Sequence, residues 1–190
     1  MNDLLGQNLL IKKEADDILH HKGLMNILRS FGTVHISGSY ELDLMTWRDL
    51  DIYLENENIT EPDFFEIGKQ ICELLHPVKM SYRNERISKT QGLPQGLYWG
   101  TYLGNEKKGA WKIDLWAVGP DECKRMTDYC SEIKQKLTPE NILTILDIKS
   151  YCWNQPGYRR TFNSSDIYNS VLENGVTNLQ QFIKFLVSNS

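Results

Sequence analysis

The sequence lacks the features that mark disulfide-bonded, zinc-bound and membrane-spanning chains. Its four cysteines form no CxxC pair and have no metal-type spacing with the four histidines, so they are predicted to be free and packed as small hydrophobic side chains. No apolar run approaches the ~18 residues of a membrane span. Leu9–Ile11 is followed at once by Lys12 and Lys13, which is not the pattern of a signal peptide. These absences predict a cytoplasmic protein that does not enter a membrane.

Excess basic charge is also missing. The 190 residues carry 21 lysines and arginines against 25 aspartates and glutamates, a formal charge of -4, whereas nucleic-acid binders usually present a basic face. A nucleic-acid partner is therefore disfavoured, although local basic clusters remain available to hold a phosphate. Apolar residues make up 41% of the chain and aromatic residues 11%, which is the composition of an ordinary globular domain with one core.

The hydrophobic periodicity places helices at both ends of the chain and strands between them. A helical pattern up to about Phe31 breaks at Lys22-Gly23, and a second helix is capped by Thr60. Short strands are predicted over 33–37, 49–54, 77–83, 96–103 and 109–118, the last two forming a hairpin. Helices return from Asp121, one of them capped by Thr138. This order predicts an α/β (α+β) fold, with a core over residues 1–118 and a helical C-terminal part over 119–190 packed on it as one compact unit.

Two aspartates inside one strand-like stretch, Asp49 and Asp51, raise the first functional question. Side chains two residues apart on a strand point to the same face, and two carboxylates at contact distance repel each other, more so when they are desolvated. Such a pair persists where it is solvated at a strand end or where a cation lies between the groups. Because Mg²⁺ prefers carboxylate, phosphate and water oxygens, the pair indicates either a chance strand end in water or half of a metal site.

Two further features favour the metal site. Gly38 and Ser39 end the preceding strand, where glycine allows a phosphate to approach the backbone and serine offers a hydroxyl donor. A third acid, Asp114, lies in an apolar strand between Ile113 and Leu115. A lone aspartate between aliphatic residues is costly unless a partner compensates it.

Together these residues resemble the signature of the DNA polymerase beta-type nucleotidyltransferase superfamily. Gly38-Ser39 is followed, after nine residues, by Asp49-Leu50-Asp51-Ile52 and later by Ile113-Asp114-Leu115. The resemblance covers residues 20 to 118 and implies a mixed, palm-like sheet. It implies that Asp49, Asp51 and Asp114 hold two Mg²⁺ ions, that Gly38 and Ser39 contact the phosphates of a nucleoside triphosphate, and that Asp114 orients or deprotonates an acceptor hydroxyl.

The small size, acidic charge and helical C-terminus most resemble the bacterial branch that modifies small molecules, including antibiotic nucleotidyltransferases. This implies transfer of a nucleoside monophosphate from a nucleoside triphosphate to a hydroxyl of a small molecule, by a protein that can form a homodimer. Two alternatives stay open: a non-catalytic, regulatory (antitoxin-like) module of the same fold, and nucleotidylation of a protein. Retention of all three acids favours the enzyme. The acceptor and the preferred nucleotide are not fixed by the sequence.

A loop between two predicted helices supplies candidates for binding the nucleotide. It carries Tyr158, Arg159 and Arg160, and an exposed aromatic and basic cluster suits a base or a phosphate. We expect Tyr158 to stack on the nucleotide or the acceptor and Arg159 to contact the nucleotide. A plain surface loop is the alternative.

Three other features are weighed against a structural explanation. His35 is predicted to be a packed strand histidine rather than a ligand. Tyr98 and Trp99 are expected on opposite faces of their strand, so that at most one lines the site. Glu41 and Asp43 add negative charge next to the expected phosphate site. Either these two carboxylates point outward, or phosphate binding is weaker than the motif suggests.

Overall fold

A mixed five-stranded sheet with helices on both faces forms the framework of the computed structural model, which describes residues 3–188. The strands are β1 (Thr33–Ser37), β2 (Asp49–Glu55), β3 (Lys79–Asn84), β4 (Leu97–Tyr102) and β5 (Lys112–Val118). The helices are α1 (Leu4–Asp16), α2 (Leu24–Arg29), α3 (Gly38–Glu41), α4 (Glu61–Leu75), α5 (Glu85–Ser88), α6 (Pro120–Lys136), α7 (Pro139–Cys152), α8 (Ser164–Leu172) and α9 (Leu179–Ser188). A π-helical turn, Asp17–His21, continues α1.

The strand order is β1-β2-β5-β4-β3, and only the central pair, β2 and β5, runs parallel. In that pair Asp51 lies opposite Asp114 and Asp49 opposite Lys112. Because side chains alternate between the two faces along each strand, this register places all four charged residues on one face of the sheet.

The other face of the sheet is the main hydrophobic core. Alternate residues of the central strands, such as Leu50, Ile52 and Leu115, pack there under the N-terminal helices and α4. Trp99 also faces this core, stacks on Phe64 and donates its indole N–H to the Phe64 carbonyl oxygen at 2.9 Å. Along the central strands, the apolar side chains therefore point into this core, and the charged side chains point to the opposite face.

The charged face is covered by the C-terminal helices. Cys123 of α6 packs with Tyr53, Tyr98 and Trp116 on this side of the sheet. Helices α7, α8 and α9 form a second hydrophobic cluster, which also takes in Leu42 and other residues of the segment between β1 and β2. A division of the chain at residue 118 stays a prediction, since this second cluster joins residues from both sides of it.

The local signals in the sequence correspond to the observed element ends. Thr60 and Thr138 form capping boxes at the starts of α4 and α7, as predicted. The N-terminal helical region breaks at Gly23, whose φ of 97° is left-handed, and the predicted hairpin is the antiparallel pair β4–β5. Within residues 3–188, no helix has both the length and the apolar character needed to cross a membrane.

Candidate active site

The three predicted acids meet at one end of the central strands. Asp51 and Asp114 are register partners on parallel neighbours, and Asp49 lies two residues before Asp51 on the same face. The three carboxylates are close enough to repel one another: burial and then the charge of Asp49 raise the pKa of both Asp51 and Asp114. The structure thus brings together the acids that the sequence predicted, and their role in catalysis stays a proposal.

Asp51 is the most perturbed of the three. Burial, Asp49 and Asp114 raise its pKa from an ordinary 3.8 to about 7. Its carboxylate lies against Gly38, which has a φ of +62° and where a Cβ atom would stand 2.2 Å from Asp51 Oδ2. Glycine is therefore required at position 38, both for the left-handed backbone and for the space in front of Asp51.

Asp49 is buried and only half satisfied. Its Oδ2 accepts a hydrogen bond from the Arg159 guanidinium, whereas its Oδ1 is buried without a hydrogen-bond partner among the described residues. An unpaired buried carboxylate oxygen is costly. Such an atom, on the same strand face as the Asp51 carboxylate, fits a position that a cation completes.

Asp114 is held by two donors. Tyr98 donates its hydroxyl to Asp114 Oδ1 at 2.6 Å, and the Lys112 ammonium donates to Oδ2. Tyr98 therefore lies on the site face and Trp99 in the core, as the alternation predicted. Lys112 and Arg159 supply the positive charge that balances the three carboxylates.

The donor set fits Mg²⁺ and not a softer metal. It consists of carboxylate oxygens at the edge of a cavity, which is the environment that Mg²⁺ selects when it also binds phosphate oxygens and water. Asp49 with its unpaired oxygen, Asp51 with its raised pKa and Asp114 are the residues that would hold such ions. The negative charge of Asp49 and Asp114 is partly neutralised by ion pairs with Arg159 and Lys112.

Ser39 is connected to a residue that the sequence did not reveal as functional. The fully buried Lys149 of α7 donates to Ser39 Oγ at 2.7 Å, to the Leu44 carbonyl oxygen at 2.7 Å and to the Tyr168 hydroxyl at 2.9 Å. Burial lowers the pKa of Lys149 to about 7, although Asp49 and Asp51 oppose this shift. A cation this deeply buried, directly behind the predicted phosphate contact, marks Lys149 as part of the site.

Two adjoining cavities open beside the acids. The first, of about 180 Å³, is lined by the acid pair, Gly38 and Ser39 on one side and by Tyr168 of α8 and residues of α6 on the other. The second, of about 240 Å³, is lined by Trp153, Arg159 and Arg160. Trp47 contributes to both cavities, and the Arg159–Asp49 contact lies between them.

Tyr158, which was predicted to be an exposed stacking residue, is half-buried. Its ring packs edge-on against Trp47 and Phe162, and its hydroxyl hydrogen-bonds Ser164 Oγ at 2.7 Å. The loop that carries it folds back on α8, and Tyr158 is itself part of the lining of the second cavity. A role of Tyr158 and Arg159 in binding the nucleotide stays a prediction.

The remaining expectations concern charges near the site. Glu41 and Asp43 form ion pairs with Lys134 and Lys12, which offset their negative charge. His35 is half-buried in its strand and hydrogen-bonds Glu55 at 2.9 Å.

No protein-family model and no curated protein sequence matches the chain. Solved structures match its fold. The structure of Cid1 poly(U) polymerase with Mg and 3′-dATP bound superimposes with a TM-score of 0.58 at 14% identity, over 85% of this chain and 48% of that one. A cytoplasmic RNA terminal U-transferase gives a TM-score of 0.58 at 14% identity, over 85% of this chain and 47% of the other.

The chain spans about half the length of these two proteins, and identities this low establish the fold alone. The fold is the palm-like mixed sheet of the nucleotidyltransferases. The predicted α/β class with a mixed, palm-like sheet is therefore confirmed, and the resemblance to the DNA polymerase beta-like superfamily holds at the level of the fold. The finer resemblance to the antibiotic-modifying branch is not confirmed.

Proposed function

We propose that this protein is a Mg²⁺-dependent nucleotidyltransferase that moves a nucleoside monophosphate from a nucleoside triphosphate to a hydroxyl group of a small molecule. The observation that carries the proposal is the acid cluster, in which Asp49, Asp51 and Asp114 share one sheet face beside a cavity that Gly38 keeps open. Asp49 Oδ1 is buried without a hydrogen-bond partner among the described residues, and burial and its neighbours raise the pKa of Asp51 to about 7. Carboxylates in such unfavourable surroundings concentrate at functional sites.

The residues divide the chemistry among them. When bound, Mg²⁺ offsets the charge that develops as an acceptor oxygen attacks the α-phosphorus and pyrophosphate leaves. Asp49, Asp51 and Asp114 would hold the ions. Ser39, oriented by Lys149, would donate its hydroxyl to a phosphate oxygen. Asp114 would orient the acceptor hydroxyl or take its proton, because burial raises its pKa and makes it a better base.

RNA is the second candidate acceptor. It is favoured because the two matching structures are a poly(U) polymerase and an RNA terminal U-transferase. It is disfavoured by the formal charge of -4, since an RNA-binding face is usually basic. Transfer to a protein, and a non-catalytic module of the same fold, are the two further possibilities that the assay below distinguishes.

One assay separates these functions. The purified protein is incubated with Mg²⁺ and each of the four α-labelled nucleoside triphosphates, together with hydroxyl-bearing metabolites and antibiotics, an RNA oligonucleotide, or a protein mixture. We expect labelled small-molecule product and an equal amount of pyrophosphate. Label on the RNA or the protein would move the acceptor to that class. The absence of transfer in every mixture would contradict an enzyme and favour the non-catalytic module.

The second cavity is proposed to hold the acceptor. Trp153 stacks on Trp47 at 6.1 Å between ring centroids, and Arg160 adds a cation at the rim. This is a platform for a planar or anionic group. We expect Trp153→Ala to raise the acceptor KM ~10-fold or more, the scale of one lost stacking contact, with the nucleotide KM unchanged.

Tyr151→Ala is the matched control for that substitution, because Tyr151 is an exposed aromatic residue at the same end of α7. It is expected to leave both KM values unchanged. An equal rise of the nucleotide KM in Trp153→Ala would assign the cavity to the nucleotide, and an unchanged acceptor KM would place the acceptor elsewhere.

A further inference from the structure

A second group of potential metal ligands lies on the acid-bearing face, at the far end of β2 from Asp49. It consists of His35 in β1, Glu55 at the last position of β2 and Cys123 near the start of α6. Glu55 is four positions after Asp51 on β2, which corresponds to ~13 Å along a strand. The group is therefore separate from the carboxylates of the candidate active site.

The geometry of this group is close to that of a coordination shell. One ligand atom from each residue lies within 4.8 Å of the other two, and His35 Nε2 is 2.9 Å from Glu55 Oε2. In a tetrahedral zinc site the ligand atoms are ~3.5 Å apart, given metal–ligand distances of ~2.0–2.3 Å. Movements of the ligand atoms by about 1 Å, through small side-chain rotations, would bring all three within bonding distance of one ion.

One of the three residues is buried, and the other two are partly exposed to solvent. Cys123 is 1% exposed and lies beneath the other two, whereas the side chains of His35 and Glu55 are 28% and 34% exposed. A cation can therefore arrive from solvent between the imidazole and the carboxylate, and a water molecule can complete its coordination.

The donor set decides which cation fits. An imidazole nitrogen, a carboxylate oxygen and a sulfur are the ligands of Zn²⁺ and related borderline metals, whereas Mg²⁺ avoids sulfur. We propose that His35, Glu55 and Cys123 form a binding site for a divalent transition metal of the Zn²⁺ class, which joins α6 to the β1–β2 hairpin.

The position of this site gives the metal a structural consequence. Helix α6 also supplies Met126 and Tyr129 to the wall of the first cavity, and β1 leads directly into Gly38 and Ser39. A metal that crosslinks β1, β2 and α6 would fix the distance between the two sides of that cavity. It would also stabilise the folded chain, since the three ligands converge only after folding.

Cobalt(II) is the probe that tests the proposal, since a thiolate bound to Co²⁺ gives a charge-transfer band in the near ultraviolet and a tetrahedral site gives visible ligand-field bands. The protein is prepared reduced and metal-free with the exposed Cys72 replaced, Cys72→Ser, so that no surface thiol binds the probe. We expect one equivalent of Co²⁺ to give both sets of bands, Zn²⁺ to abolish them and excess Mg²⁺ to leave them unchanged.

Matched variants assign the signal. Cys123→Ser is expected to remove the charge-transfer band, whereas Cys130→Ser, the other buried cysteine of α6, keeps it. Asp51→Asn also keeps it, because the acid site has no sulfur. Glu55→Gln, which preserves the packing of the residue, is expected to weaken Co²⁺ binding at least ~10-fold and to remove the rise in melting temperature that Zn²⁺ causes.

Three results would overturn the proposal. The first is a titration without a thiolate band. The second is a band that persists in Cys123→Ser or is lost in Cys130→Ser, and the third is a band lost in Asp51→Asn. If Cys123→Ser does not fold, Glu55→Gln and His35→Gln decide the question, and unchanged Co²⁺ affinity in both of these variants rejects the site.

Discussion

Asp51→Asn is expected to lower nucleotidyl transfer by about 1,000-fold, equivalent to the several kcal/mol that a bound metal contributes to a transition state. The same variant is expected to be more stable than the wild type without metal at pH 8. Asparagine keeps the shape of the side chain and removes one of three clustered charges. Loss of activity with a gain of stability is the signature of a residue retained for function.

The pH dependence of this gain follows from the raised pKa of Asp51. Between its ordinary value of 3.8 and about 7, the folded protein binds more protons at this site than the unfolded chain, so wild-type stability falls as the pH rises through that window. At pH 5 Asp51 is protonated in the folded protein but already ionised in the unfolded chain, so part of the wild-type loss is present there. We expect the melting temperature of Asp51→Asn relative to the wild type to rise from pH 5 to pH 8 and to reach a difference of ~3–6 °C at pH 8.

Asp43→Asn is the matched control. Asp43 lies close to the site in the chain but is exposed and paired with Lys12, and its left-handed φ of 57° suits asparagine. Asp43→Asn is expected to retain activity. Its stability is expected to fall by no more than the small contribution of an exposed ion pair. Turnover by Asp51→Asn, or a lower melting temperature at pH 8, would remove the metal-site assignment of Asp51.

The parts of the site that the sequence predicts are those that depend on local geometry. The alternation of β2 places Asp49 and Asp51 on one face, and the left-handed turn before them requires Gly38. Each of these is a statement about neighbouring residues, so the sequence contains it directly. The capping boxes that begin at Thr60 and Thr138 are predictable for the same reason.

The parts that the sequence does not reveal depend on contacts between distant segments. Lys149 is 110 residues from Ser39. Its local signal is its place on the apolar face of α7, four residues after Ile145 and three before Cys152, and this position predicts burial but not the contact with Ser39. Arg159 is likewise 110 residues from Asp49. Tyr158 was expected to be exposed because it lies in a loop, but the loop folds back and leaves the ring half-buried against Trp47. Tertiary packing, not local pattern, decided all three.

His35 illustrates the same limit at the second metal site. Its hydrogen-bond partner Glu55 is 20 residues away. Cys123 belongs to α6, which follows the last strand of the sheet in the sequence. No short motif connects the three residues, so spacing rules developed for CxxC-type sites pass over them. Only the pairing of β1 with β2 and the packing of α6 on the sheet bring them together.

Lys149→Met is expected to raise the KM for the nucleoside triphosphate by ~10–100-fold, which corresponds to the loss of one or two hydrogen bonds to a charged group. The Lys149 ammonium donates to Ser39 and to Tyr168, so its removal frees both walls of the first cavity and takes a positive charge from behind the phosphate contact. Methionine preserves the length of the side chain. Binding of a nucleoside monophosphate, which carries less charge, is expected to change much less.

The stability of Lys149→Met has its own pH dependence. Burial lowers the pKa of Lys149 to about 7 from 10.5, so the folded protein binds fewer protons than the unfolded chain between these values, and wild-type stability falls as the pH drops through that window. The melting temperature of the variant relative to the wild type should therefore rise from pH 10 to pH 7.

Lys134→Met, which removes an exposed lysine of α6 paired with Glu41, is the control for charge alone and is expected to keep the nucleotide KM. Equal losses of triphosphate and monophosphate affinity in Lys149→Met would restrict Lys149 to a packing role, and an unchanged KM would separate it from the nucleotide altogether.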